Sequence, residues 1–256
     1  MLKRLLAAIS CIAITLSTLF ILRSVASAEH LTIGYIELPP YYFTNAQQKP
    51  TGFLLELTRK IMVQAGHQCC YKSMPSKRIL HTIQKDSTFV SIGWFKTKER
   101  LKYAKFSQPI YQNAPIVALI RLDNYNKFKH FKTLQEILAQ EKFKTGFIAG
   151  HSMGEYIDNL ISRYPHSAHA LSVTTEQLVK MLHSAHIDFC LLAPEEIASI
   201  IEKSNLNKNE FYSLPMADIT TGNKRHLMFS KNISDEVIQL INKAIADLKN
   251  EAFATN

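Results

Sequence analysis

The stretch "LTIGYIELPPYYFTNAQQKPTGFLLELTRKIMVQAG", residues 31–66, contains the unit from which the fold is predicted. It begins with a short apolar, β-branched run at 31–36, which is typical of a buried strand. After a turn containing prolines, apolar side chains recur at helical spacing from Phe53 to Ala65, and Gly66 ends the pattern. The stretch therefore predicts one strand followed by one helix.

The same order recurs along the chain. Further strand candidates lie at 69–73, 88–93, 115–121, 144–148, 187–192 and 225–230. Helix starts are indicated by capping and first-turn residues: Thr133 with Glu136, Ser152 with Glu155, Pro194, and Ser234. Repeated alternation predicts an α/β fold with a largely parallel sheet, which places ligands at the carboxyl ends of its strands.

Composition limits the classes of protein. The chain has 256 residues, 46% of them hydrophobic and 20% charged, enough to bury the core of one large domain or of two lobes. Its net charge is +9, and +6 remains without residues 1–28, which hold three basic and no acidic residues. The basic residues are scattered, so we expect solvated faces, no nucleic-acid partner and a modest preference for anionic ligands.

The N-terminus has the pattern of an export signal. Lys3 and Arg4 precede the uncharged run 5–22, and Ala28 ends an A-x-A cleavage pattern. Residues 1–28 are therefore predicted to be a signal peptide that directs the mature chain to the periplasm. The uncharged run is almost long enough to span a bilayer, so an uncleaved membrane anchor remains an alternative.

Cysteine is sparse for an exported chain. Cys69, Cys70 and Cys190 are odd in number, and a bridge between two adjacent cysteines would be strained. The sequence thus predicts no disulfide framework. All three lie in strand candidates, where buried free thiols are expected, although the thiol state stays open.

Three stretches resemble a known family in order and spacing. These are residues 33–66, "FKTKERLKYAKFSQPIY" at 95–111 and "KTGFIAGHSMGEYI" at 144–157. They resemble the family 3 extracellular solute-binding proteins, the periplasmic receptors of polar amino-acid ABC transporters. The most specific piece is T-x-x-R followed by F-S-x-P-x-Y, here Thr97, Arg100, Phe106, Ser107, Pro109 and Tyr111.

The resemblance implies a two-lobed, type 2 periplasmic-binding-protein clamshell with the ligand in the cleft between the lobes. Lobe 1 would comprise 29–115 with 226–256, lobe 2 would comprise 122–220, and crossovers would lie at 116–121 and 221–225. The implied function is capture of a small carboxylate-bearing solute, an amino acid or a relative, for an inner-membrane ABC permease or a sensor protein. We expect a monomer with no cofactor, no metal and no catalytic residue.

Arg100 is the leading candidate for ligand binding. Its planar guanidinium can form two parallel charge-assisted bonds with a carboxylate, which lysine cannot do. An exposed arginine on a basic helix is the alternative, and the surrounding motif, which includes Thr97, favours the ligand.

Ser152 is the counterpart in lobe 2. As a helix N-cap in a glycine-containing turn, it would lie beside free backbone N–H groups that favour an anion. Capping alone also explains it, so both interpretations stand.

Other candidates follow strand ends. Tyr41, Tyr42 and Trp94 lie where one or two rings are expected to stack on the ligand, with core packing as the alternative. Arg78 is a second candidate for an anion contact, and a solvated helix start explains it equally well.

Two positions depart from the amino-acid receptors. Those receptors often carry a hydroxyl residue five positions before the arginine and an acid, which binds the ligand ammonium, after the lobe 2 strand. Phe95 and Ala193 stand at these places, so recognition of an α-ammonium group is an open question. Candidates for the missing negative charge are Glu37, Glu195 and Glu196.

Two other functional classes are weighed against a binding protein. The repeated "HSAH" at 166–169 and 183–186 has histidine spacing suited to zinc on a helix, but no acids or cysteines accompany it. Cyclohexadienyl dehydratases resemble these receptors, yet the sequence offers no carboxylate pair for acid–base work. The chain is therefore predicted to be a binding protein rather than an enzyme, with a dehydratase or a periplasmic ligand sensor as alternatives.

Overall fold

A computed structural model describes residues 30–254. The predicted signal peptide, 1–28, lies outside the described residues. The strands are β1 Leu31–Tyr35, β2 Phe43–Thr44, β3 Pro50–Thr51, β4 Cys69–Ser73, β5 Phe89–Trp94, β6 Ala104–Gln112, β7 Val117–Arg121, β8 Thr145–Ile148, β9 Ala168–Leu171, β10 Phe189–Leu192, β11 Phe211–Pro215 and β12 Lys224–Ser230. The helices are α1 Phe53–Gln64, α2 Ser76–Ile83, α3 Lys98–Leu101, α4 Tyr125–Phe128, α5 Leu134–Leu138, α6 Glu155–Arg163, α7 Thr175–His183, α8 Pro194–Lys203 and α9 Asp235–Ala254.

The first sheet combines strands from both ends of the described chain. Its order is β4-β1-β5-β12-β6, so β12 lies between two strands from the N-terminal half. Helix α9 packs against α1 and β6. The apolar side chains of β1, including Leu31 and Ile33, are fully buried in the core that this packing closes.

The second sheet is contiguous in sequence, with the order β11-β7-β10-β8-β9. Its central strands bury both faces. Ala118 and Ile120 of β7 pack into one apolar cluster, whereas Leu119, between them, packs into another. Because successive side chains of a strand point to opposite faces, this division shows helices covering both sides of the sheet.

The two sheets form the two lobes of a type 2 clamshell. The expectation of a largely parallel sheet is confirmed for four of the five strands in each sheet, but both sheets are mixed. In each sheet one strand runs against the other four: β12 in the first and β7 in the second. These are the strands by which the chain arrives from the other sheet, so their direction is reversed.

The connections between the sheets differ from the expected positions. The segment 116–121 was expected as a crossover, but Val117–Arg121 is β7, and β12 already begins at Lys224. The chain crosses at 113–116 and at 216–223 instead. Asn113 N donates to Asn223 O over 3.0 Å, so the two connecting segments lie side by side.

The three cysteines within residues 30–254, Cys69, Cys70 and Cys190, form no disulfide. Cys190 is fully buried in β10, and burial raises the pKa of its thiol to about 12. Cys70 is exposed, so the expectation of a buried thiol was wrong there. Within residues 30–254, none of the helices has the length and apolar character needed to cross a membrane.

Candidate functional site

A cavity lies between the two sheets, beside the connecting segments. Most of its wall is apolar. The first sheet and its loops contribute Ile36, Leu38, Tyr42, Gly93, Trp94, Phe95, Arg100 and Arg225. The second sheet and its loops contribute Ile148, His151, Ser152, Met153, Thr175, Leu178, Leu191, Leu192, Ala193 and Glu196. Asn113, Ile116 and Asn223 come from the connecting segments.

Arg100 is held in place from three sides. Thr97 is the N-cap of α3, and its side chain accepts a hydrogen bond from Arg100 N at 3.2 Å. The guanidinium donates from Nη1 to Phe95 O at 3.0 Å, and its Cζ lies 4.7 Å from the centre of the Trp94 ring. Only 7% of Arg100 is exposed. The residue is therefore not a solvated arginine on a long helix, because α3 has four residues and β6 follows it.

The charge of Arg100 has no ion-paired carboxylate among residues 30–254. Burial lowers its pKa, and the nearby Tyr103, Asp158 and Glu99 oppose that effect. A buried cation without a direct counter-ion is costly unless an anion joins it. The site can therefore accept a negatively charged group from the cavity.

Arg225, which sequence reasoning missed, is a second buried guanidinium in the same wall. It lies at the start of β12 and is 6% exposed. Its Nε donates to Asn113 Oδ1 at 2.7 Å, and its Nη1 donates to Tyr42 Oη at 3.1 Å and to Gly93 O at 3.2 Å. Its Nη2 donates to Glu196 Oε1 at 3.0 Å. Protein groups thus engage all three nitrogens.

Glu195 and Glu196 open α8, directly after Pro194 at the first helical position, where prolines suit a helix. Glu196 is buried; burial raises its pKa, and Arg225 opposes that rise. Glu195 Oε1 accepts from Ala114 N at 2.7 Å and from Tyr111 Oη at 2.9 Å. Both acids therefore join α8 to the first lobe or its connecting segment.

The turn at Ser152 differs from the predicted capping box. Helix α6 begins at Glu155 with Gly154 as its N-cap, and Gly154 has a φ of 100°. Ser152 Oγ donates to Asp158 Oδ2 at 2.5 Å and accepts from Gly154 N at 3.1 Å. Asp158 Oδ1 also accepts from Met153 N at 2.8 Å. The protein's own carboxylate thus occupies the donors expected for a ligand anion, although Ser152 still lines the cavity.

The three candidate aromatic residues divide. Tyr42 and Trp94 line the cavity. Tyr41 does not; it is fully buried, with its hydroxyl hydrogen-bonded to Asn113 and its ring centre 4.1 Å from Arg225 Cζ. Tyr41 therefore packs against Arg225, a residue of the cavity wall, without lining the cavity itself.

Glu37 and Arg78 lie away from the cavity wall. Glu37 accepts from Thr44 N at 2.8 Å, from Thr44 Oγ1 at 2.7 Å and from the Ser73 hydroxyl. It thereby ties the ends of β1, β2 and β4 together. Arg78 is exposed on α2.

His151 was also missed by sequence reasoning. It lines the cavity, and burial lowers its pKa, as do the charges of Arg100 and Arg225. A neutral imidazole can donate one hydrogen bond and accept another. Its place beside Ser152 in the G-x-S turn was the available signal.

The sequence profile of the bacterial extracellular solute-binding proteins, family 3, matches residues 31–254. The chain belongs to this family. Comparison with curated protein sequences gives no match.

Solved structures share the fold of this family 3 solute-binding protein. An ancestral arginine-binding protein bound to arginine has a TM-score of 0.72 and 19% identity, covering 88% of this chain and 94% of its own. An amino acid ABC transporter substrate-binding protein from Streptococcus pneumoniae, bound to L-arginine, has a TM-score of 0.69 and 19% identity, and the match covers 90% of this chain and 92% of that protein. A histidine kinase sensor domain similar to periplasmic binding proteins has a TM-score of 0.70 and 16% identity, and the match covers 87% of this chain and 91% of that domain.

The two departures noted in the sequence both face the cavity of this family member. Phe95 places an aromatic ring in the wall, 5.2 Å from Arg225 Cζ. Ala193, the N-cap of α8, is buried and presents a methyl group. Neither position supplies a hydroxyl group or an acid.

The described part of the chain contains no group of three or more His, Cys, Asp or Glu residues arranged to hold a metal. The repeated "HSAH" does not form one helix. His169 lies in β9, whereas His183 ends α7 and contacts Glu210 at 2.9 Å.

Proposed function

We propose that this family member binds a small carboxylate-bearing solute between its lobes and presents it to an inner-membrane ABC permease from the periplasm. One observation carries the proposal: the buried guanidinium of Arg100 lines the cavity and has no carboxylate ion-paired to it among the described residues. Its fork matches a carboxylate with two charge-assisted bonds. Membership of a solute-binding family supports the same conclusion.

The proposed working motion is closure of two lobes, which act as a monomer. The expected lobe boundaries, 29–115 with 226–256 and 122–220, are therefore adjusted to 29–112 with 224–256 and to 117–215, and the hinge is moved to 113–116 and 216–223. These are the segments that cross between the sheets side by side. Contacts that form only around the ligand would stabilise the closed form, which the permease recognises.

Binding is preferred to catalysis because the described residues of the cavity wall include no acid–base pair that is free for catalysis. Glu196 is the carboxylate in its wall and is ion-paired with Arg225. A dehydratase needs a carboxyl group free to exchange protons with its substrate. Prephenate is therefore included in the ligand screen, and its turnover would contradict this preference.

The test begins with a thermal-shift screen of carboxylates, because a ligand at 100 times its dissociation constant adds about 2.7 kcal/mol to stability. Calorimetry of the best ligand then compares Arg100→Ala, Arg100→Lys and Lys102→Ala. We expect Arg100→Ala to cost about 3–5 kcal/mol because a desolvated carboxylate loses its partner. Arg100→Lys should restore part of the affinity, since the charge returns without the fork.

Lys102 is the matched control, because it follows α3 and is exposed. Its removal should change the binding energy by less than about 1 kcal/mol. If Arg100→Ala binds within about threefold of the wild type, less than about 0.7 kcal/mol, the proposed site is wrong.

A further inference from the structure

The cavity holds more positive than negative charge. Arg100 and Arg225 both line it, and among the described residues in its wall Glu196 is the one carboxylate. His151 lies close enough to both arginines for each to lower its pKa, so the two guanidiniums act on the same region. A cavity of this kind favours an anion and disfavours a second cation.

The Glu196 carboxylate already has protein partners for its charge and its hydrogen bonds. Its carboxylate pairs with Arg225 at 3.0 Å and also interacts with the Tyr41 hydroxyl. Arg225 in turn has every nitrogen engaged by Asn113, Tyr42, Gly93 or Glu196. An ammonium group that reached Glu196 would have to displace a buried guanidinium and leave it unpaired, which is strongly unfavourable.

The neighbouring acids do not replace it. Glu195 has a buried Oε2 without a hydrogen-bond partner among the described residues, but it lies outside the cavity wall. Glu99, Glu155 and Asp158 line the mouth of the cleft. Both carboxylate oxygens of Asp158 are taken by Ser152 and Met153. Glu155 and Glu99 are exposed, and Glu155 pairs with Lys98. An exposed acid contributes little to holding a cation.

We propose that the bound solute is a carboxylate without an α-ammonium group and with an apolar body, such as a 2-oxo acid, and that Arg225 determines this specificity. The inference rests on the proposed function, since Arg100 must hold the ligand carboxylate. Arg225 excludes an ammonium by keeping its own cation on Glu196. Phe95, Leu191 and Ala193 supply an apolar wall, and the neutral His151 can hydrogen-bond to a ligand oxygen without adding charge.

Calorimetry of the wild-type protein with matched pairs of ligands tests which ligand class it binds. Each pair has one side chain: 4-methyl-2-oxopentanoate against L-leucine, and phenylpyruvate against L-phenylalanine, with L-arginine as a further probe. We expect one oxo acid to bind at least about tenfold tighter than its amino acid, a difference of about 1.4 kcal/mol. L-Arginine should show no saturable binding. An amino acid that binds as tightly as its oxo acid, or tight binding of L-arginine, would overturn the inference.

Two variants test the role of Arg225. Arg225→Met leaves Glu196 free for an ammonium and should move the preference at least about tenfold toward the amino acid. Glu196→Gln removes the acid and should keep the preference for the oxo acid. Circular dichroism checks folding, and if Arg225→Met does not fold, the wild-type pairs still decide the ligand class. An unchanged preference in folded Arg225→Met would overturn the role of Arg225.

Failure of the proposed function has a different signature. If Arg100→Ala binds the preferred ligand as tightly as the wild type, or if no carboxylate binds, the site at Arg100 is wrong and the inference falls with it. If Arg100→Ala abolishes binding of an amino acid that the wild type prefers, the proposed function stands and the inference alone is wrong.

Discussion

Arg225 Nη2 lies 3.0 Å from Glu196 Oε1, and this buried ion pair joins β12 of the first sheet to α8 of the second lobe. Removing one partner of a buried pair leaves the other uncompensated, at a cost of about 3–5 kcal/mol. We expect Arg225→Met and Glu196→Gln each to lower the free energy of unfolding by about this amount, which urea unfolding measures as a lower midpoint. The double variant should lose less than the sum of the two, because it leaves no unpaired charge.

The pair of Lys98 and Glu155 is the control for that cycle. It also joins the two lobes, at 2.8 Å, but both side chains are exposed. Replacing both with alanine should leave the urea midpoint almost unchanged, because an exposed ion pair contributes little to stability. Additive losses at Arg225 and Glu196 would show that the buried pair is not coupled.

Gly93 is predicted to hold the Arg225 network in place. Its φ is 80°, and an added Cβ would lie 2.5 Å from Tyr42 Oη, the atom that accepts from Arg225. Gly66 has a similar φ of 83° with open space around it. Gly66→Ala should therefore lose about 1 kcal/mol from backbone strain alone, and Gly93→Ala should lose clearly more and also weaken ligand binding. Equal losses in urea unfolding would contradict this role of Gly93.

Acid should destabilise the fold through two histidines. Burial lowers the pKa of His151, helped by Arg100 and Arg225, and burial also lowers the pKa of His226. As the pH falls below about 6.5, histidines in the unfolded chain become protonated, whereas His151 and His226 in the folded protein become protonated only at a lower pH. The free energy of unfolding should then fall by up to about 1.4 kcal/mol per pH unit for each histidine, until the folded pKa is reached.

Urea unfolding between pH 8 and pH 5 measures this slope. His151→Gln and His226→Gln should each reduce it, and the double variant should reduce it further. A slope that neither replacement alters would mean that other groups control the acid sensitivity.

Export is a separate prediction, from sequence alone. We expect cleavage after Ala28, so that the mature protein begins at Glu29, because the A-x-A pattern follows an apolar run. Intact-mass measurement of the protein released from the periplasm checks it. A membrane-retained product that still contains Lys3 would favour the anchor.

The central strands could be predicted from sequence, whereas most edge strands could not. All seven strand candidates correspond to strands, among them β1, β5, β10 and β12. The missed strands β6, β9 and β11 all lie at sheet edges, and so do the short β2 and β3 of their own two-stranded pair. Edge strands need less apolar sequence and tolerate proline, as β6 does at Pro109. Their pattern is therefore weak in any local window.

The site could be predicted only where a local motif marks it. Arg100, which the structure places in the cavity wall, was a candidate because it and Thr97 belong to a recognisable local pattern; its role in ligand binding stays a prediction. Arg225 was missed because its partners are distant in sequence: Tyr42 is 183 positions away and Asn113 is 112 positions away. Ser152 was assigned to a capping box because its spacing to Glu155 fits one. In the structure the Ser152 hydroxyl and the Met153 N–H donate to Asp158, and Gly154 is the N-cap of α6. A rule based on the spacing of Ser152 and Glu155 includes neither Asp158 nor Gly154.

The position of β12 sets the order in which the two lobes can be completed. During synthesis the second sheet, 117–215, becomes available as one continuous piece. The first sheet lacks β12 until residues 224–230 have been synthesised. Until then β5 and β6 each have an unpaired edge on the side where β12 will lie. Limited proteolysis of chains that end at Gly222 should therefore cut within 31–112 and spare 117–215. The lobe that contains β1 is thus the last for which all strands are available.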